Sequence, residues 1–182
     1  MIYVFLADGF EEIEALAPVD ILRRAELPVT TVGIGGKMIT GAHGIVVQAD
    51  CTEDEMDIST AEMVMLPGGK QGTANLDASE TVRRSVLWCV ENDRYVSAIC
   101  AAPSVLGHLG VLQGKMATCF PGWESELTGA RLCTDSAVQD GKIITGRGAG
   151  ASLEFGFQLV RALKDNETAE SIRASMQTPG CR

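Results

Sequence analysis

Among the side chains able to act as nucleophile or proton carrier, Cys100 has the most telling surroundings: Val96-Ser97-Ala98-Ile99-Cys100-Ala101-Ala102-Pro103. An apolar run of strand type ends at the cysteine, and a helical stretch starts at Pro103. The small residues Ala98 and Ala102 permit a tight turn that lifts a side chain clear of a sheet. That is the geometry of the G-x-S-x-G nucleophile elbow, with Cys in place of Ser. Amide donors at the helix start predict a thiolate favoured over the thiol. A thiolate attacking a carbonyl also needs donors for the oxygen that becomes negative. Leu66-Pro67-Gly68-Gly69 ends another apolar run, and glycine lets a backbone N–H come close, so the amides of Gly69 and Ala101 are the expected pair. A third run ends at Ala7-Asp8-Gly9 and leads into Glu11, Glu12 and Glu14. Glu11 and Glu12 read as surface acids favoured by a helix dipole, whereas Glu14 neighbours the apolar face. Buried beside the sulfur, Glu14 would hold a proton at neutral pH and act as general acid and base.

These residues work together only if a scaffold gathers three strand ends. Ile2–Leu6 reads as a buried strand, and the segment from Glu12 to about Arg24 as a helix with acids in its first turn and Arg23-Arg24 in its last. Val29–Ile34 is a strand, and Lys37–Gln48 a small hairpin around Gly41-Ala42-His43-Gly44. Met63–Leu66 is a strand, Ser79–Asn92 a helix, Tyr95–Ile99 a strand, and Pro103 to Leu109 a helix. Short strands follow near Met116–Thr118, at Ala137–Val138 and at Ile143–Thr145, before a helix over Ser152–Leu163. This alternation predicts a doubly wound α/β sandwich with a mostly parallel sheet and helices on both faces. In such a fold the site belongs at the carboxyl ends of the strands.

Composition narrows the function classes. A chain of 182 residues with 46% hydrophobic residues, 21% charged residues and only 20 Gly and 6 Pro is neither disordered nor collagen-like. Without repeats or a linker-like break it is expected to form one domain over residues 1–182. Fifteen Lys and Arg against 24 Asp and Glu give a net charge of −9, which argues against nucleic acid or an anionic membrane as partner. No apolar run reaches the ~18 residues of a membrane span, and the acidic flank of MIYVFLADGFEEIE does not suit a signal peptide, so a cytoplasmic location is expected. Six cysteines form no C-x-x-C pair and there are only two histidines, so no metal site is expected.

The segments ADGFEEIEALAPVDILRRA, VMLPGGKQGTANL, VSAICAAPSVLGHLG and GKIITGRGAGASLEFGFQLV, in this order, resemble the ThiJ/PfpI superfamily. The resemblance runs from Ile2 to about Leu163, and is to the branch containing the parkinsonism-associated protein deglycase and its bacterial relatives. It implies a flavodoxin-like sandwich of the class I glutamine amidotransferase type and a homodimer, part of whose interface lies around Asp20–Arg24. It also implies a reactive Cys100 paired with a protonated Glu14, with the Gly69 and Ala101 amides as the oxyanion site. The activity implied is that of a glyoxalase needing neither glutathione nor any cofactor, converting methylglyoxal to lactate, or of a deglycase acting on adducts of such aldehydes. The alternative is a redox sensor or a chaperone-like protein of oxidative stress that uses oxidation of Cys100.

The chain departs from the family pattern in two places. Many members place a His before the Pro of Ala117-Thr118-Cys119-Phe120-Pro121-Gly122, where this chain has Phe120. The peptidase branch follows its nucleophile with His, and here Ala101 follows, so a Cys-His protease is not expected. Gly146-Arg147-Gly148-Ala149-Gly150 reads as a turn capping the last helix, with Arg147 framing the site. His43 is expected as a solvated turn residue, with a dimer contact as the alternative. His108 is expected at the surface, and Cys119 as a buried cysteine or a resolving thiol.

Overall fold

The computed structural model describes residues 1–178, so Cys181 lies outside the described residues. In chain order the elements are strand β1 (Ile2–Leu6), helix α1 (Glu12–Arg24), strands β2 (Val29–Gly33), β3 (Met38–Thr40), β4 (Val46–Gln48), β5 (Cys51–Thr52) and β6 (Met63–Leu66), and helices α2 (Lys70–Ala78) and α3 (Glu80–Glu91). Strand β7 (Tyr95–Ile99), helix α4 (Pro103–His108), strands β8 (Met116–Ala117), β9 (Arg131–Leu132), β10 (Ala137–Asp140) and β11 (Ile143–Gly146), and helices α5 (Ser152–Leu163) and α6 (Asn166–Ser175) complete them.

Seven strands form one sheet in the order β10-β11-β7-β6-β1-β2-β5. Every pairing is parallel except the β10–β11 hairpin. The interior strand β1, between β6 and β2, is buried along its whole length, which explains its unbroken apolar run. Its side chains alternate between two cores. Ile2, Val4 and Leu6 pack with Ile21, Leu22, Phe155 and Val160 from α1 and α5, while Tyr3 and Phe5 pack with Val86, Val105 and Leu106 from α3 and α4. A Cβ at Gly156 would come within 2.7 Å of Ile21 Cδ1 and 3.2 Å of Pro18 Cα, so this glycine lets α5 lie close against α1. The expected α/β sandwich with helices on both faces is the observed fold. No helix of the described residues is long and apolar enough to cross a membrane.

The last third departs from expectation. The strand near Met116–Thr118 exists as β8, but it pairs with β9 in a separate two-stranded sheet. Helices α2 and α6 and strands β5 and β9 have no counterpart in the sequence-based outline. Helix α2 buries Leu76 as its one large apolar side chain, so it lacks the stripe that marks a helix. Helix α6 is announced by its cap, because the Asp165 side chain accepts a bond from the Thr168 amide at 2.7 Å.

Candidate active site

Strands β7, β6 and β1 are neighbours, so the three unusual strand ends lie side by side at one edge of the sheet. Cys100 has φ +66, a left-handed conformation that a non-glycine residue adopts only when its surroundings impose it. Its own peptide groups supply the constraint. The Cys100 amide donates to the Gly146 carbonyl at 2.9 Å, and its carbonyl accepts from the Phe120 amide at 2.8 Å. The elbow inferred from small neighbours is present, held between β11 and the segment after β8.

Helix α1 carries Glu14 under this elbow, fully buried. The Gly68 amide donates to Glu14 Oε2 at 3.0 Å, while Oε1 is buried without a hydrogen-bond partner among the described residues. A carboxylate would leave that lone oxygen charged and unsolvated, so Oε1 is the oxygen suited to carry a proton. Burial, joined by the charge of Glu11, raises the Glu14 pKa to about 7 against the pull of the Cys100 thiol and the Gly68 amide. Gly68 is where the two side chains meet. A Cβ there would overlap Glu14 Oε2 and fall 2.6 Å from the Cys100 Cβ.

The thiol does not follow the sequence-based expectation. Burial, together with the charge and hydrogen bonding of Glu14, pushes Cys100 up to about 12. The amides of Gly69 and Ala101 pull the other way, which places both expected oxyanion donors at the sulfur, but they do not outweigh burial. Helix α4 has only 6 residues, too few for a strong dipole. Thiol and carboxyl therefore titrate as one unit, whose first proton leaves near neutrality because Glu14 is the more acidic partner.

Phe120 is 48% exposed, and Arg147 donates to the Thr134 carbonyl at 2.9 Å. Both line one cavity. Cys119 is buried, and burial pushes its thiol up to about 11. His108 sits between Asp77 Oδ2 at 2.9 Å and Glu126 Oε2 at 3.0 Å. Neither histidine ring stands at Cys100, for His43 Nδ1 is engaged 2.9 Å from Glu12 Oε2.

That contact corrects the reading of Glu12 as a surface acid. Glu12 is buried, and its Oε1 accepts from the amides of His43 at 2.8 Å and Ile45 at 3.5 Å, pinning the β3–β4 turn to the start of α1. Burial alone would raise its pKa, but the His43 side chain and the surrounding amides together lower it to about 2. Glu11, Glu12 and His43 bring ligand-type atoms within 4.8 Å of one another, and among the described residues they are the group able to hold a metal ion. The hairpin contacts account for Glu12 without one.

Residues 1–162 match the model of the DJ-1/PfpI family. The chain belongs to this family. It is 33% identical over 178 residues to the Parkinson disease protein 7 homolog of Danio rerio, a match covering 95% of this chain and 94% of that protein. It is 34% identical over 168 residues to Protein DJ-1 homolog B of Arabidopsis thaliana, covering 91% of this chain but spanning only 38% of that longer protein. The glutathione-independent glyoxalase DJR-1.2 of Caenorhabditis elegans is 27% identical over 164 residues, covering 89% of this chain and 87% of that protein. Among solved structures, a DJ-1 superfamily protein from Salmonella typhimurium superposes with a TM-score of 0.93 at 31% identity, covering 98% of each chain.

Two further residues shape this candidate site. The sequence points to Gly69, and the glycine doublet at the strand end is the signal that also bears on Gly68. Gly146 grips the Cys100 amide through its carbonyl, a role that residue type does not encode.

Proposed function

We propose that this chain is a cofactor-free enzyme of 2-oxoaldehydes, with Cys100 as nucleophile and Glu14 as proton carrier, acting on methylglyoxal or on adducts of such aldehydes. The observation carrying this reading is the buried Glu14, poised to ionise near neutrality beside a nucleophile in a strained elbow. The glyoxalase name of one relative supports it as well. In the reaction, sulfur adds to the aldehyde carbon while the thiol's proton passes through Glu14 to the new oxygen, which faces the Gly69 and Ala101 amides and becomes the hydroxyl of a hemithioacetal. Glu14, a carboxylate once more, then takes the proton from the former aldehyde carbon and returns it to the neighbouring carbonyl carbon, while the hydroxyl proton of the first carbon passes to the oxygen of the second. The first carbon is oxidised and the second reduced, leaving a thioester that water cleaves to the 2-hydroxy acid, so no external oxidant enters.

The same reading carries a homodimer and a cytoplasmic setting. Exposed Ile13 on α1 gives a second copy an apolar contact on that helix, and the described cysteines are free, as in a reducing compartment. The test is lactate formation from methylglyoxal without glutathione by the parent, Cys100→Ala and Glu14→Gln proteins, each checked for folding. Loss of turnover in both variants is expected. A parent no faster than Cys100→Ala would end the enzyme reading for this substrate.

A second reading, a sensor that works through oxidation of Cys100, draws support from the lack of an imidazole at the sulfur, since a sensor needs no dedicated base. Mild peroxide followed by mass spectrometry examines it. Selective gain of two oxygens, about 32 Da, on Cys100 favours this reading.

A further inference from the structure

Two peptide bonds of Cys100 tie down the walls of a neighbouring cavity. Its carbonyl holds the Phe120 amide, and its amide is held by Gly146, the residue before Arg147. The cavity between those walls, about 310 Å³, is lined by Phe120 and Pro121 on one side and by Arg147, Gly148, Ala149 and Ala151 on the other. It therefore opens beside the elbow rather than at a remote surface. The Phe120 ring lies along Gly148, where an added Cβ would meet its Cδ2 at 3.1 Å and Cε2 at 3.7 Å. The missing side chain at Gly148 is what makes room for the ring. The polar side chains of the lining are Ser136 and Arg147, the latter tethered to the Thr134 carbonyl, and the remaining lining side chains offer only carbon.

A methyl group would leave most of such a space unfilled, whereas a flat apolar group stacks on the ring and sheds water. We infer that Phe120 sets the substrate preference of this site, selecting 2-oxoaldehydes that carry an aromatic or similarly flat apolar substituent over methylglyoxal. The reacting end of the substrate lies at Cys100 and its substituent lies in the Phe120 cavity. This inference rests on the proposed reading of Cys100 as a nucleophile toward 2-oxoaldehydes. It adds the side-chain class that the site accepts.

The deciding experiment compares kcat/KM for phenylglyoxal and methylglyoxal, without glutathione, in the parent, Phe120→Ala and Phe120→Leu proteins. The parent is expected to favour phenylglyoxal about tenfold, in the range that a filled apolar pocket supplies. Phe120→Ala should bring the ratio close to one, chiefly through a higher KM for phenylglyoxal, and Phe120→Leu should restore part of it. A parent ratio near one, or a ratio untouched by Phe120→Ala, overturns the inference. If the parent turns over neither aldehyde, the proposed function fails, and preference is read separately from binding of the unreactive products, mandelate and lactate, by saturation-transfer NMR. Tighter mandelate binding that is lost in Phe120→Ala upholds the cavity assignment, and equal binding of the two acids overturns it.

Discussion

The Gly68 amide donates to Glu14 Oε2 at 3.0 Å, and the absence of a side chain on Gly68 is what lets Glu14 approach Cys100. One residue thus orients the carboxyl and clears the space between acid and nucleophile. Because Oε2 already accepts from that amide, the proton of the acid is directed to Oε1, which has no hydrogen-bond partner among the described residues.

The Cys100–Glu14 pair gives up its first proton near pH 7, set by the raised pKa of Glu14, and the resulting single negative charge is shared with sulfur. The rate of Cys100 alkylation by iodoacetamide should therefore rise with pH through about 7. In Glu14→Gln that inflexion should vanish, leaving only the titration of the buried thiol itself. An unchanged inflexion in the variant would mean that some other group supplies it.

The same titration has a consequence for stability. Glu14 ionises at about 7 in the folded chain against an ordinary value of 4.5, so the folded state holds an extra proton between those values. The stabilising contribution is complete below the ordinary value and is lost as pH rises through 7. Denaturant unfolding of the parent, compared with Glu14→Gln, should show the parent losing about 3 kcal/mol relative to the variant between pH 4 and 8. Parallel pH dependences would contradict the raised pKa.

Gly68→Ala tests the approach of the two groups. The new Cβ would overlap Glu14 Oε2, fall 2.6 Å from the Cys100 Cβ and reach the Ile99 carbonyl oxygen at 3.0 Å, so the acid and the elbow must separate. Overpacking of this kind costs about 1–3 kcal/mol in stability. Any turnover should fall by about a hundredfold, since catalytic groups displaced by an ångström lose that much. Thermal unfolding beside kinetics separates the two effects. A variant that is destabilised yet fully active would show that the close contact has no part in the chemistry.

How much of this was legible depended on what kind of signal each element carries. Strands β1 and β6 announce themselves because burial on both faces demands unbroken apolar runs, β7 is interrupted only by Ser97, whose hydroxyl donates to the Val64 carbonyl at 3.0 Å, and glycine, proline or cysteine marks where each one stops. Cys100 and Glu14 could be singled out because one sits at such an end and the other beside the apolar face of α1. The thiol's high pKa was not legible, since local sequence displays a helix start but not the depth of burial around the sulfur. Glu12 misled for a related reason. A glutamate at a helix start is normally solvated, and its partners here are 31 and 33 residues away on a hairpin whose docking no local pattern encodes.

That hairpin supplies the last prediction. Glu12 is held ionised by His43 and by the amides of His43 and Ile45, with its pKa lowered to about 2. A depressed carboxyl stabilises the fold above its ordinary value and ceases to do so as pH falls through about 2. Glu12→Gln keeps the size of the side chain but replaces charge-assisted acceptors with a neutral amide. Bonds to a charged acceptor are worth about 1.5–3 kcal/mol where buried, and the exposed His43 ring adds little beyond the two amides. Amide hydrogen exchange at His43 and Ile45 should therefore accelerate by about tenfold or more in the variant, while exchange in β1 and β6 stays slow. Since Glu12 lies two positions from Glu14 on α1, a slackened hairpin should also let the start of the helix fray toward the site. Equal exchange in parent and variant would show that the turn is held by its backbone bonds, of which the Gly41 amide to the Ile45 carbonyl at 2.9 Å and the Ala42 amide to the Phe10 carbonyl at 2.8 Å are the candidates.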